Sequence, residues 1–486
     1  MSTIFARFYP WLSAHYVIIV VSCAFLFLNF FSIRTLTTQP AFWYDEGINV
    51  ELARNFASSG NLDIIVAPNT FSQEGAFLGS TGYTTTVPLA WFYRLFGFGL
   101  EQSRLYMLLW MNLLLLTVFL FAKKQWGDWI AVCTTIFFVT YPPFYGNGRS
   151  VMGEIPGFFF LLLSLQFFIE KRSTALVGLL AGLAAVSKPS VFVFVLPAYA
   201  LLCLFEKKSI IESVKKIFFL GLGSVAAIIP WIILYRDYAL SGSTWQRLAE
   251  FFANPYASAG YSVLENIQKN LGTFFFTGTL LYMLAIAACI ATAAYLKPEW
   301  RLGNRTLLLF TLLYSPGALF YYLKSFGYLR YLIATQFLLL LLVIPALVAL
   351  IETMRPKIKN GLLIIGVSAL LLFQGVYLFT GAKLFYSNQV QTAITHVESL
   401  FPNSTYGVIN VPPIASLLPA DRKYNFISTY GVKGTGVNFT LLPEAELPEI
   451  AFINDKNDPA LAPLFARRYI PLEENPTGIK IYRLQK

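Results

Sequence analysis

The chain has 486 residues, of which 56% are hydrophobic and only 13% are charged. A soluble domain carries about 25% charged residues, so a globule of this size would lack the polar residues to cover its surface, and the bilayer must be its solvent. The formal charge of +11 comes from short basic clusters between long apolar runs, which is typical of membrane topology signals and argues against nucleic acid as a partner.

Eleven apolar runs approach the roughly 20 residues that a membrane-spanning helix needs. They are 15–34, 103–122, 128–146, 154–170, 174–188, 190–206, 217–236, 272–296, 306–323, 330–351 and 361–380. The runs 174–188 and 190–206 are short, and whether each forms a full span stays open. The first run lacks a small-residue cleavage site, so we expect a retained span and not a signal peptide.

Lysine and arginine collect in every second loop between these runs. The basic loops contain 123–124, 171–172, 207–216, 297–305 and 355–359. Because cytoplasmic loops are the basic ones, we expect a cell (inner) membrane protein with a cytoplasmic N-terminus and an extracytoplasmic C-terminus. The outer face then carries the long segments, where functional loops are usually found. They are 35–102, 147–153, 237–271, 324–329 and the tail from 381.

The first outer loop opens with the sequence WYDEG at 43–47. The segment 45–59 has helical periodicity, which predicts an amphipathic helix on the membrane surface with Asp45 and Glu46 near the mouth of the helix bundle. The structural alternative is that these acids only stabilise the start of the helix through its dipole. Farther along, the segment 82–97 predicts a second surface or re-entrant helix.

A second carboxylate, Glu154, begins the apolar run 154–170 on the predicted outer side. A carboxylate at a membrane boundary is costly unless it is paired or hydrated, so Glu154 is a functional candidate. The alternative is a helix-start glutamate that precedes Pro156 in the first turn. The two histidines, and four cysteines that all fall inside apolar runs, nearly exclude a site built on those residues.

Among the basic residues outside the expected cytoplasmic clusters, four are candidates for a site. Lys324 and Arg330 flank the start of a late span on the outer side, and Arg149 and Lys188 are similar but weaker candidates. Their charges either reach past the apolar boundary into water or clamp an anionic headgroup such as a phosphate.

The tail from 381 predicts a small extracytoplasmic α/β domain, 381–486, after a transmembrane catalytic domain, 1–380. Its expected elements are a helix at 390–400, strands at 406–410, 450–454, 469–472 and 479–483, and a turn at 475–478. The tail contains neither a phosphate-binding glycine pattern nor a nucleophile motif.

In this order, the features resemble the GT-C superfamily of polyprenyl-phosphate-sugar-dependent glycosyltransferases, and most nearly its branch of protein O-mannosyltransferases and lipid A aminoarabinose transferases. The segments that carry the resemblance are YDEGINVELARN, RLFG, GRSVMGEIP, GLLAGLAAVSKPS, LRYLIATQF and the α/β tail. The resemblance implies an α-helical polytopic fold of about eleven spans, with amphipathic helices in the first outer loop. It also implies a lipid-linked sugar as the donor and membrane lipids as further partners.

The resemblance implies a role for each acid. Asp45 matches the general base on the acceptor, Glu46 its acidic neighbour, and Glu154 a second acidic position that organises the site. Arg330, and after it Lys324, would face the donor phosphate. The expected reaction is an inverting single displacement on the extracytoplasmic face.

The resemblance leaves the cofactor and the acceptor open. A divalent cation, Mg²⁺ or Mn²⁺, held by Asp45 and Glu154 is one option, and some branches of the family work without one. Family loops often continue with an aromatic residue after the Asp-Glu pair, whereas Gly47 and Ile48 follow here. The acceptor is therefore a lipid, a glycan or a protein.

Three rival functions remain: a polymerase or ligase of lipid-linked glycans, a transporter or flippase, and a non-catalytic scaffold whose tail binds a partner. A transporter predicts ionisable residues at mid-membrane and often repeated halves. In this sequence the charges cluster at the span boundaries and the halves show no evident repeat.

Overall fold

The computed structural model of the chain describes a helical membrane part followed by a small sheet domain. The described residues are 2–73, 81–206, 209–234, 246, 249, 253, 262–274, 277–325, 327–352, 356–384, 386–429, 432–453, 462–472 and 479–485. The expected turn at 475–478 lies outside them, as does much of the outer segment 237–271.

The membrane part consists of apolar helices joined mostly by short connections. In chain order its helices are α1 (Ser2–Arg34), α2 (Tyr44–Ser59), α3 (Tyr83–Phe96), α4 (Leu100–Trp126), α5 (Asp128–Val139), α6 (Pro142–Gly148), α7 (Glu154–Ile169), α8 (Thr174–Ser187), α9 (Pro189–Phe192), α10 (Val195–Phe205), α11 (Ile210–Leu234), α12 (Val263–Phe274), α13 (Gly278–Leu296), α14 (Pro298–Gly303), α15 (Arg305–Lys324), α16 (Ile333–Ile351) and α17 (Pro356–Leu384). A 3₁₀ turn at Leu329–Leu332 leads into α16.

Within the described residues, six helices are long and apolar enough to cross a membrane. They are His15–Arg34, Leu100–Trp126, Ile210–Leu234, Gly278–Leu296, Arg305–Lys324 and Leu329–Ile351. Shorter apolar helices lie at Asp128–Val139, Glu154–Ile169, Thr174–Ser187, Pro189–Phe205 and Ile364–Thr380. Each predicted run therefore contains an apolar helix, and the helical membrane fold is confirmed. The number and direction of the crossings stay predictions.

The first outer loop forms the two expected helices, α2 and α3, and also a short antiparallel pair, β1 (Ile65–Ala67) and β2 (Thr70–Phe71). The α2 helix ends at Gly60, whose φ of 79° is the left-handed conformation that glycine adopts at low cost. The α3 helix exposes Trp91, Leu95 and Phe96, which suits a helix that lies against lipid.

The C-terminal domain is a mixed six-stranded sheet with helices packed on it. Its elements are α18 (Gln389–Leu400), β3 (Tyr406–Ile409), α19 (Pro412–Leu417), β4 (Lys423–Thr429), β5 (Val432–Gly436), β6 (Ile450–Ile453), α20 (Ala462–Arg468), β7 (Tyr469–Pro471) and β8 (Lys480–Leu484). The strand order is β5-β4-β3-β6-β8-β7, in which β3 is parallel to β4 and β6. The predicted small α/β domain is confirmed, although the sequence analysis missed β4 and β5.

One apolar core joins the first outer loop to the C-terminal domain. Val50 of α2 and Leu89 of α3 belong to the same buried cluster as Ile394 of α18, Val408 of β3 and Ile414 of α19. Full burial of a side chain of this size contributes about 1.5–3 kcal/mol. This core covers α2 from both sides and fixes its place above the membrane helices.

Candidate active site

The start of α2 places its two acids on different faces. Trp43 precedes the helix in an extended conformation, and Asp45 and Glu46 lie in the first turn, where the helix dipole favours negative charge. Successive residues of a helix point about 100° apart, because it has 3.6 residues per turn. As a result Asp45 is partly exposed, whereas Glu46 is fully buried.

Asp45 forms an ion pair with Arg330, whose Nη2 lies 2.9 Å from Asp45 Oδ2. The Arg330 guanidinium also stacks over aromatic rings, 4.6 Å from the Trp43 centroid and 5.0 Å from the Tyr328 centroid. Among the described residues, its Nε and Nη1 atoms have no hydrogen-bond partner. The arginine is thus held in place with part of its donor capacity unused.

Hydrogen bonds through Gln336 fix the 3₁₀ turn that carries Arg330. Gln336 Nε2 donates a hydrogen bond of 3.1 Å to the Leu329 carbonyl, and the Tyr141 hydroxyl donates one of 2.6 Å to Gln336 Oε1. Hydrogen-bonded polar groups in an apolar surrounding specify one arrangement. These hydrogen bonds therefore fix the position from which the Arg330 side chain extends into the site.

Glu154 and Lys188 bring a second pair of charges to the same place. Glu154 begins α7 and is fully buried, and neither carboxylate oxygen has a hydrogen-bond partner in the part of the chain that the structure describes. Lys188, between α8 and α9, is 1% exposed and interacts electrostatically with Glu154, Arg330 and Asp45. A buried carboxylate without hydrogen-bond partners is costly, which makes Glu154 a candidate functional residue.

Two glycines allow these helix ends to meet. The backbone N–H of Gly82, just before α3, donates to the Ser187 carbonyl at 3.0 Å. A Cβ on Gly82 would lie 1.7 Å from the Val186 oxygen, and one on Gly153 would lie 1.9 Å from the Ser187 oxygen. Only glycine permits this approach without a backbone shift, and the approach places Lys188 beside Glu154.

Glu46 lies in a separate buried ion pair. Its carboxylate accepts two hydrogen bonds from Arg104, of 3.0 and 2.8 Å, and one of 3.3 Å from the Val151 N–H. Arg104 Nη1 also donates to the carbonyls of Leu36 and Pro40, at 3.0 and 2.7 Å. Glu46 therefore ties α2 to α4 and to the segment before α7.

Arg149 lies beside this second pair. Its Nη1 donates a 2.6 Å hydrogen bond to the Thr35 hydroxyl, and its guanidinium is 5.7 Å from the ring centroids of Phe31 and Tyr145. Burial, followed by the charge of Arg104, lowers the pKa of the Arg149 guanidinium to about 9. The group is thus still charged at neutral pH.

Lys324 lies beside two aromatic rings near the end of α15. Its ammonium is 5.7 and 5.5 Å from the ring centroids of Phe320 and Tyr321. The Tyr321 ring in turn packs against Tyr331 at 5.2 Å, and Arg330 stacks over Tyr331. The structure therefore brings together Asp45, Arg330, Glu154 and Lys188, and two aromatic rings lie between Lys324 and this group.

Comparisons with known proteins give a partial match to one family model and a fold. A family model described as dolichyl-phosphate-mannose-protein mannosyltransferase matches residues 87–234. The crystal structure of ArnT from Cupriavidus metallidurans bound to undecaprenyl phosphate aligns over 96% of this chain and 97% of that chain, with a TM-score of 0.58 and 14% identity. The chain has a GT-C fold.

A second solved structure with this fold is the Archaeoglobus fulgidus oligosaccharyltransferase in complex with Zn and sulfate. It has a TM-score of 0.52 and 13% identity, and the match covers 83% of this chain but only 62% of that chain. A comparison with curated protein sequences gives no significant match. The resemblance to the GT-C superfamily is confirmed at the level of the fold, and the family model that matches part of the chain is one of mannosyltransferases.

The family-model match covers only part of the candidate site. Glu154, Lys188 and Arg149 fall inside 87–234, whereas Asp45, Glu46, Arg330 and Lys324 fall outside it. The geometry alone connects the two groups of residues.

Within the described ranges, no three His, Cys, Asp or Glu side chains lie close enough to bind a metal ion together. Of the two carboxylates expected to hold a cation, Asp45 is paired with Arg330, and Glu154 interacts electrostatically with Lys188. We assign no step to a divalent cation.

Sequence reasoning missed Arg104, which the structure places at the centre of the Glu46 contacts. An arginine one turn inside the apolar helix α4 is the signal that would have found it. Sequence reasoning also missed the Glu51–Lys423 ion pair, which joins α2 to β4.

Proposed function

We propose that the chain is a membrane glycosyltransferase that moves a sugar from a polyprenyl-phosphate donor to an acceptor on the extracytoplasmic face. The observation that carries the proposal is the Asp45–Arg330 ion pair beside the buried charges of Glu154 and Lys188. These groups lie at the ends of apolar helices, where a substrate with a lipid tail and a polar head meets the protein.

The donor phosphate binds between Arg330 and Lys188. Arg330 has two nitrogen atoms without partners among the described residues, and phosphate oxygens accept charge-assisted hydrogen bonds from such donors. Lys188 adds a second buried cation. A relative with this fold, ArnT, was crystallised with undecaprenyl phosphate, which supports a polyprenyl phosphate as the leaving group here.

The reaction is a single displacement with inversion at the anomeric carbon. Asp45 takes the proton of the acceptor hydroxyl while the acceptor oxygen forms its bond to C1. The bond from C1 to the phosphate oxygen breaks, and its electron pair leaves with polyprenyl phosphate, whose charge Arg330 and Lys188 stabilise. Phosphate binding draws Arg330 away from Asp45, which frees the carboxylate to act as a base.

The other acids have supporting roles. Glu154, with two oxygens that accept from no described residue, accepts hydrogen bonds from the sugar hydroxyls and organises the site. Glu46 holds the start of α2 through Arg104 and is a positioning residue. The orientation, with a cytoplasmic N-terminus and an extracytoplasmic C-terminus in the inner membrane, rests on the basic loops.

The test uses the full-length protein in lipid nanodiscs with a panel of radiolabelled polyprenyl-phosphate sugars and with lipid, glycan and protein acceptors. We expect one donor to release free polyprenyl phosphate together with a labelled acceptor. Arg330→Gln abolishes this release, whereas Arg172→Gln, which alters an exposed cation of the predicted cytoplasmic side, preserves it.

Two results would overturn the proposal. Absence of turnover with every donor would favour the scaffold function. Turnover that survives Arg330→Gln unchanged would place the chemistry elsewhere in the molecule.

A further inference from the structure

A buried ion pair joins the helix of Asp45 to the C-terminal domain. Lys423 Nζ of β4 lies 2.5 Å from Glu51 Oε1 of α2, and the two side chains are 1% and 0% exposed. Lys423 also donates to the Ala415 carbonyl at 2.8 Å, and Glu51 Oε1 accepts from the Ile65 N–H at 3.0 Å. Desolvation of both charges is costly, so such a pair defines one arrangement more than it adds stability.

Glu51 lies on the same helix as Asp45, six residues later in the sequence. Six residues correspond to about 9 Å along a helix axis, at 1.5 Å per residue. Because α2 is a rigid element over this length, a rotation or slide at Glu51 moves the Asp45 carboxylate with it.

Arg54 makes a second contact from α2 to the same domain. Its Nη1 donates hydrogen bonds to the carbonyls of Ser416 and Leu418, at 2.9 and 2.7 Å. Both carbonyls lie at the C-terminal end of α19, where the last carbonyls of a helix lack partners within the helix. Arg54 therefore binds the C-terminal end of α19, where the helix dipole favours a cation.

The first turns of α2 also touch this domain. A Cβ on Gly47 would lie 2.5 Å from the Pro413 nitrogen, so α2 packs directly on the backbone of α19. The Tyr44 hydroxyl donates to the Ser428 carbonyl at 3.0 Å. Contacts with the C-terminal domain thus run along α2 from Tyr44, the neighbour of Asp45, to Arg54.

We propose that the C-terminal domain holds α2 in register and thereby positions Asp45, with Glu51 and Lys423 as the positioning residues. The inference rests on the proposed function of Asp45 as the base. A general base acts only within hydrogen-bond reach of the proton that it takes. The domain is then a part of the active site and not an appended module.

The test combines two measurements on the full-length protein in nanodiscs. Hydrogen exchange, followed by mass spectrometry, reports on the backbone of α2, and transfer kinetics report on kcat and the donor KM. Glu51→Gln is expected to speed exchange across 44–59 and to lower kcat by about tenfold to a hundredfold, the loss typical of a misplaced catalytic group. The donor KM is expected to change less than kcat, because Lys188 lies between α8 and α9 and the hydrogen bond from Gln336 holds the turn that carries Arg330.

Two further variants make the test specific. Glu444→Gln removes an exposed ion pair with Arg468 in the same domain and is expected to leave both measurements unchanged. If Glu51→Gln fails to fold, Arg54→Gln is used instead. It removes the hydrogen bonds to α19 at a less buried position, and we expect the same changes in exchange and kcat.

The outcomes separate this inference from the proposed function. Unchanged exchange in α2, or faster exchange with unchanged kcat, overturns the positioning role. A donor KM that rises as much as kcat falls also overturns it, because that pattern indicates general disruption. If wild-type protein transfers no sugar at all, the proposed function fails, and exchange alone decides whether the domain holds α2.

Discussion

Asp45 and Glu46 are neighbours in the chain, yet they differ in solvent exposure and in how they bind a cationic partner. Asp45 is 23% exposed and contacts Arg330 through its Oδ2 atom, whereas Glu46 is 0% exposed and binds Arg104 through both oxygens. A partly hydrated ion pair can exchange partners when a substrate arrives, whereas a buried bidentate pair cannot without a large cost. The comparison assigns chemistry to Asp45 and structure to Glu46.

The largest expected effect is on catalysis by Asp45→Asn. Loss of a general base lowers the rate by about 10²- to 10⁴-fold, so kcat should fall in this range while the melting temperature stays near that of the wild type. The matched control is Asp128→Asn, which alters an exposed ion pair with Lys123. Wild-type transfer by folded Asp45→Asn protein would remove Asp45 from the mechanism.

Glu46→Gln should act on stability first. It leaves Arg104 buried with a weaker partner, and breaking a buried ion pair costs about 3–5 kcal/mol. We expect a clear fall in the apparent melting temperature in detergent. Glu170→Gln, which removes a pair near the surface with Lys124, should change it little. A Glu46→Gln protein that melts like the wild type but is inactive would reverse the assignment of the two acids.

Gly153→Ala tests whether close packing places Lys188 beside Glu154. The new methyl group would overlap the Ser187 carbonyl, and overpacking of this kind costs about 1–3 kcal/mol. We expect a lower melting temperature and a higher donor KM, because Lys188 moves. Gly146→Ala is the control, since a Cβ there has nothing within 4 Å. Equal donor KM values for the two variants would contradict the placement of Lys188.

Lys324→Gln should have the smallest effect. Two aromatic rings separate this cation from Arg330, and a charge near the surface contributes less than about 1 kcal/mol, or about fivefold in rate. The measurement is kcat/KM for the donor beside that of Lys188→Gln, for which we expect a larger loss. A Lys324 effect that exceeds the Lys188 effect would move the phosphate site toward α15.

Much of this site was predictable because its charges interrupt apolar runs. Asp45, Glu154 and Arg330 are conspicuous at span boundaries, where an ionisable group is costly and is therefore a functional candidate. Arg104 was missed although it has the same signature, since it lies one turn inside a long apolar helix. The placement of Lys188 beside Glu154 follows from glycine contacts between helix ends, which no local pattern encodes.

The C-terminal domain shows where sequence patterns fail. The β4 strand places Lys423 and Asn425 on its buried face, which breaks the apolar alternation that identifies a strand. Lys423 is buried because Glu51, 372 positions away, provides its partner. A single sequence carries no signal for a pair so distant, so both the strand and its contact with α2 required the structure.

The most direct test of the central claim is an experimental structure of the full-length protein with undecaprenyl phosphate bound in nanodiscs. We predict that the phosphate oxygens lie within hydrogen-bond distance of Arg330 and Lys188, with the Asp45 carboxylate close to the bound phosphate. A phosphate bound at the basic loops of the opposite face, with the Asp45–Arg330 pair unchanged and far from the lipid, would contradict the account.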